Sequence, residues 1–210
     1  MGRWPLALFL MSCTSQQPEP AKGGHLWLWG ETATQDAVRA ADTEFTLRAR
    51  YGAANVTRER INLGEGETAP GVVLFARDST RRLQVQFVDT NALREPIRAT
   101  VTGRRSNWIL YPGASIGTTL AELEQLNGRE FRLLGLGWDY SGTVVSWNGG
   151  TLGKVWTDEG SAERRVIVRL AQMDNADQTL VARVLGDHEY SSAAMRTLNP
   201  RVYEIVVRPR

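Results

Sequence analysis

The chain has 210 residues, 42% of them hydrophobic, enough to bury a core as one large domain or as two small, intimately packed units. Its 25 basic residues are nearly balanced by 23 acidic ones, for a formal charge of +2, so no overall field favours nucleic acid. The basic pairs Arg81-Arg82, Arg104-Arg105 and Arg164-Arg165 are scattered, as solvated strand ends and turns are, and nucleic acid is set aside as a partner.

In chain order, Arg3 and the apolar stretch Leu6 to Met11 come first, a run too short to span a bilayer and placed where a secretory signal lies. The stretch ends in Leu10-Met11-Ser12-Cys13, which resembles the lipobox of bacterial lipoproteins. The resemblance implies that residues 1–12 are a signal peptide cut before Cys13, that the Cys13 thiol carries a diacylglycerol, and that the new amino group is acylated. Several acyl chains give stable attachment, each buried methylene contributing about 0.8 kcal/mol. Cys13 is the single cysteine and has nothing to pair with internally. Residues 14–24, polar and rich in Pro and Gly, read as a flexible tether. Thr14, directly after the cysteine, resembles the outer-membrane sorting choice of enteric-type Gram-negative bacteria. The expected location is the cell envelope, lipid-anchored, on the outer membrane facing the periplasm or the cell surface.

From residue 25 onward, short alternating apolar runs are separated by turn signals. The spacing predicts strands over 71–76, 83–88, 97–102, 131–137, 143–147, 165–172, 180–185 and 202–208, mostly with short, antiparallel connections. Asp42 or Thr43 caps a helix that runs to Arg50 and stops at Tyr51-Gly52, and residues 33–41 are a further helical candidate. Thr118 or Thr119 caps a second helix whose Leu120, Leu123 and Leu126 share one face, with Glu122 at capping-box spacing from Thr119 and Asn127-Gly128 as its stop. Aligning Gly52 with Gly128 also pairs Leu47 with Leu123, a tandem pattern of helix followed by strands. The expected fold is therefore α+β and strand-rich, two helix-plus-antiparallel-sheet units, about 25–105 and 106–210, packed as one body.

The helix from Gly117 to Gly128 resembles that of the SmpA/OmlA-type outer-membrane lipoproteins, small domains that set a helical segment against an antiparallel sheet. Tandem versions resemble the fold of the β-lactamase-inhibitor proteins, which implies gripping another protein with a sheet and its loops. The stretch from Phe131 to Gly142 departs from the assembly-factor pattern. The succession Leu126-Asn127-Gly128, Gly137-Trp138-Asp139-Tyr140 and Trp147-Asn148-Gly149-Gly150-Thr151-Leu152 also resembles a group of bacterial lipoproteins from which no activity carries over.

Catalytic chemistry is thinly served. There are two histidines, His25 beside the tether and His188 in a polar turn, and no Gly-x-Ser-x-Gly elbow. One cysteine and two histidines make a poor zinc set, and the Asp174-Asn175-Ala176-Asp177 cluster lacks the glycine and glutamate of a calcium loop. No catalytic residue, metal or cofactor is assigned. Glu65, Glu67 and Asp139 are the carboxylates open to an alternative, envelope glycan hydrolysis, where their spatial separation would decide. The seven tryptophans are richer material, because large aromatics supply much of the energy at protein interfaces. Trp138, Asp139, Tyr140 and Trp147 are the candidate binding residues; one of Trp138 and Tyr140 should face inward while the other is displayed with Asp139. The function expected is non-enzymatic binding of an envelope protein, or another envelope component, through loops and one sheet face; a purely structural lipoprotein is the third reading.

Overall fold

The computed structural model describes residues 26–64, 66–157 and 165–210, so Cys13, the tether, His25, Glu65 and Arg164 lie outside the described residues. Among those described, the strands in chain order are β1 (Leu26–Trp29), β2 (Val56–Gly64), β3 (Glu67–Leu74), β4 (Leu83–Asp89), β5 (Arg94–Thr102), β6 (Trp108–Leu110), β7 (Ala114–Ser115), β8 (Arg132–Leu134), β9 (Val144–Ser146), β10 (Val166–Ala171), β11 (Glu189–Ser191) and β12 (Arg201–Val207). The helices are α1 (Glu44–Tyr51), α2 (Leu120–Asn127), α3 (Thr151–Val155) and α4 (Gln178–Ala182). The fold is α+β and strand-rich. Its centre is a six-stranded antiparallel sheet in the order β10-β12-β5-β4-β3-β2, with two three-stranded sheets beside it, β1-β6-β7 and β11-β8-β9. The β1–β6 pair is parallel.

Strand alternation gives the large sheet two faces. Val72, Leu74, Leu83, Val85, Ala99, Val101, Val166, Val168, Leu170, Ile205 and Val207 point one way, into a core completed by Leu47 of α1, Leu120 and Leu123 of α2 and Leu152 of α3. Trp29, Trp108, Trp147 and Trp156 fill the same core. Truncating any of the central leucines to alanine would cost about 2–5 kcal/mol. The sheet pairs β5 of the first approximate unit with β12 of the second, so the body shares one sheet and one core.

Both long helices begin where the sequence places them. Thr43 and Thr119 accept a hydrogen bond from the backbone three residues on, and Glu122 reaches back to the Thr119 N–H at 2.7 Å. Gly128 closes α2 at φ 75°, a left-handed turn that costs glycine little. α1 is tied to β2 by Glu44, which receives Arg48 and Arg58. Those guanidiniums hold the Glu44 carboxyl below the usual range. A second clasp joins the first and last described segments: Arg210 donates to Asp36 at 2.9 Å and to the Gly30 carbonyl at 2.9 Å, with its guanidinium 3.8 Å from the Trp29 ring centre. Burial nevertheless pushes the Asp36 carboxyl up.

Three expectations are corrected. Residues 180–185 do not form a strand: Asp177 accepts from Thr179 N–H at 2.8 Å and starts α4, so a local cap overrides a weak apolar run. Residues 33–41 give only a single 3-10 turn at Ala33–Gln35, because Asp36 is drawn out of helical geometry towards Gly30 N–H and Arg210. β2 was not expected at all; its Thr57-Arg58-Glu59-Arg60 run suits a charged edge strand.

The β3–β4 connection gives a pH signature. Asp78 accepts from Thr80 N–H at 2.9 Å, Thr80 Oγ1 at 2.6 Å and Arg81 Nε at 2.6 Å, which lowers its pKa from 3.8 to about 2. A depressed carboxylate contributes stability above its unfolded value and loses it as pH falls through its folded one. Asp78→Asn should therefore be less stable than the parent above pH 3.8, with the gap closing towards pH 2 in urea unfolding followed at a series of pH values. A gap constant with pH would contradict this role.

Candidate functional site

The face of the large sheet turned away from the core forms the floor of a groove of about 760 Å³. Gln84 and Gln86 of β4, Arg98, Thr100 and Thr102 of β5, Glu204 and Val206 of β12, and Ile167 and Arg169 of β10 line it. Strand register sets them in rows: Gln84, Thr100, Val206 and Ile167 are successive cross-strand neighbours, as are Thr102, Glu204 and Arg169. The floor therefore combines apolar Ile167 and Val206 with the Arg169–Glu204 pair towards β10, and is rich in amides and hydroxyls towards β4.

The walls come from the two sides of the sheet. Ile61, Asn62, Leu63 and Gly64 of β2 line the groove although β3 contributes nothing, so the far half of the β2–β3 hairpin curls over the face. Gly71 permits this, because a Cβ there would meet Ile61 Cγ1 at 2.6 Å and the Val85 carbonyl at 2.6 Å. On the other side the wall is Asp139 and Tyr140, in the turn between β8 and β9.

That turn is held by its glycine. Gly142 has φ 63°, and a Cβ on it would lie 1.9 Å from the Leu170 carbonyl oxygen. Leu170 N–H donates to the Gly142 carbonyl at 3.0 Å, so the turn is laid directly on β10. Gly137 N–H donates to Ser141 Oγ at 3.1 Å and the Trp138 indole N–H to the Gly135 carbonyl at 3.1 Å, fixing the loop from within.

Docked this way, the turn aims Tyr140 at the groove. Its ring centre is 5.6 Å from the Arg169 guanidinium carbon and 5.4 Å from the Trp138 ring, which meets it edge-on. Arg169 donates to Glu204 at 2.7 Å across the β10–β12 pair. Beside this pair burial pushes the Tyr203 phenol up, and the Glu204 charge adds to the effect.

The sequence-nominated residues are partly brought together. Tyr140, 51% exposed, and Asp139, also exposed, line the groove, while Trp138 is half-buried behind them. Trp147 is not displayed: at 6% exposure it packs against Phe131 and Trp156, because β9 turns it inward. Glu67 is exposed at the start of β3 and does not line the groove. His188 is solvated, 3.7 Å from Asp187; Asp174 pairs with Arg104, and Asp177 caps α4. The groove floor was missed. Its signal lies in the alternation Leu83-Gln84-Val85-Gln86-Phe87, which marks a strand with one polar side.

Gly142→Ala should lift this wall. The left-handed backbone alone costs an alanine about 1–2 kcal/mol, and the clash with β10 about 1–3 kcal/mol more. Gly149→Ala, at φ 71° with nothing within 4 Å, should show only the first cost. Equal losses of stability for the two variants in chemical denaturation would contradict the docking of the turn on β10.

Comparison with protein-family models, with curated proteins and with solved structures finds no match to this chain.

Proposed function

We propose that the chain is an envelope lipoprotein whose open sheet face binds another protein without catalysing a reaction. The observation that carries this is the groove itself: a preformed concavity with exposed Tyr140 and Leu63 on its rims and hydrogen-bonding amides, hydroxyls and Arg98 on its floor. Tyr and Arg are the residue types that anchor protein interfaces, and neighbouring polar groups set register and specificity. Exposed Val88 and Ile97 on β4 and β5 extend the apolar surface, Ile97 at the bulge where the β4–β5 register shifts.

The anchoring half of the reading rests on the sequence. Cleavage before Cys13 and acylation of its thiol and amino group would hold the body on a membrane through residues 14–24. Among the described residues no helix is long and apolar enough to cross a membrane. The reading assigns the protein to the outer membrane, with its partner an envelope protein.

The test is photo-crosslinking in cells from residues replaced one at a time. Crosslinkers at Tyr140 and Gln86 should trap the same partner, and one at Arg129, exposed beyond α2, should not. Cys13→Ala should abolish the product by moving the protein away from its partner. Equal trapping from Arg129, or none from Tyr140 and Gln86, would overturn the assignment.

A further inference from the structure

The groove does not end at the sheet. It shares Thr102 with a pocket of about 390 Å³ at the ends of β5, β10 and β12, and that pocket shares Ile116, Gly117 and Arg201 with an open cleft of about 730 Å³ beside α2. The strand pair opens there for a local reason. The β10–β12 register shifts between Arg169 and Leu170, leaving Tyr203 as a bulge residue without a partner across the pair. Ile116, Met173 and Val202 make the middle pocket the most apolar part of the track, and Met173 is 39% exposed.

Charge along the track is not self-satisfied. Arg98 in the groove and Arg201 between the pocket and the cleft are exposed, and neither side chain makes a hydrogen bond or ion pair among the described residues. Arg201 acts on Glu122 only through space, and that carboxylate is already committed to the Thr119 cap. Arg104 is engaged by Asp174 at 2.7 Å. Asp139 stands at the far wall.

We infer that this continuous track receives an extended, acidic segment of the partner protein, with one large apolar side chain in the Met173 pocket and carboxylates over Arg98 and Arg201. The inference rests on the protein-binding reading above and names the kind of segment that the surface selects. The path bends from the sheet face around its end, which a folded convex surface cannot follow, whereas an extended chain can at about 3.3 Å per residue. Gln84, Gln86 and Thr100 supply side-chain donors and acceptors for the peptide groups of such a chain. An acidic sequence supplies what Arg98 and Arg201 lack.

The experiment is selection of a displayed library of random dodecapeptides on the full-length chain, followed by affinity measurements on Arg98→Glu, Arg201→Glu and Met173→Asp. Selected peptides should converge on one Leu, Met or Phe flanked by Asp or Glu, and each substitution should weaken them about tenfold. All three positions are exposed, and thermal unfolding of each variant checks that the fold is kept. No enrichment, enrichment without acidic residues, or binding indifferent to both charge reversals would overturn the inference. If the library fails while crosslinks from Tyr140 and Gln86 persist, the partner presents a folded surface and only the extended segment falls. If those crosslinks fail too, the protein-binding reading falls with it.

Discussion

β12 is the last strand among the described residues and lies inside the large sheet, between β10 and β5. It pairs with β5 through Glu204 to Val207 and with β10 along most of its length, and so gives β10 its place in the large sheet. One side of β12 sends Ile205 and Val207 into the core, each less than 3% exposed. The other side sends Glu204 and Val206 into the groove. A single strand therefore sets both the hydrophobic interior and the floor of the groove, and the groove cannot form until the chain has closed on itself.

The two faces of the sheet have different obligations. The covered face buries branched aliphatic residues against α1, α2 and α3, and that burial drives folding. The open face is left to water and mixes amides, hydroxyls and charges with Ile167 and Val206. Its one demanding element is Arg169. The Nε of that side chain is buried without a hydrogen-bond partner, while the rest of the guanidinium is held by Glu204 and faces the Tyr140 ring. Removing Tyr140 would therefore disturb Arg169 as well as the surface it shapes. Gly71 and Gly142, on opposite sides of the groove, are small because backbone or a neighbouring side chain occupies the space where a Cβ would go.

What the sequence made legible were the local devices. Thr43, Thr119 with Glu122, Gly52 and Gly128 mark helix ends because capping is decided within a few residues. Leu83 to Phe87 and Val202 to Val207 read as strands because one face alternates cleanly. β2 did not, since its charges serve contacts remote in sequence, Arg58 with Glu44 and Glu59 with Arg82. The run from Leu180 misled because alternation over so few residues also suits a capped helical turn. At the site, the sequence marked Asp139 with one of Trp138 and Tyr140 as displayed without choosing between the two aromatics, and Trp147 turned out buried because an aromatic after a short strand has either face open to it. Gln84, Arg98 and Arg169 could not be assembled into one floor from spacing alone. Strand period says which residues share a face, while the order of strands that brings those faces together is a property of the whole chain.

β12 joins the strands on either side of it into one cooperative sheet, and native-state amide hydrogen exchange tests this most directly. The amides bonded across β5, β12 and β10, among them those of Val101, Ile205 and Ile167, should exchange through one opening with a common free energy close to that of global unfolding. If the β10 amides exchange through a separate, much cheaper opening while β2 to β5 remain protected, the sheet is not one unit, and neither the shared core nor the groove built across it describes the protein.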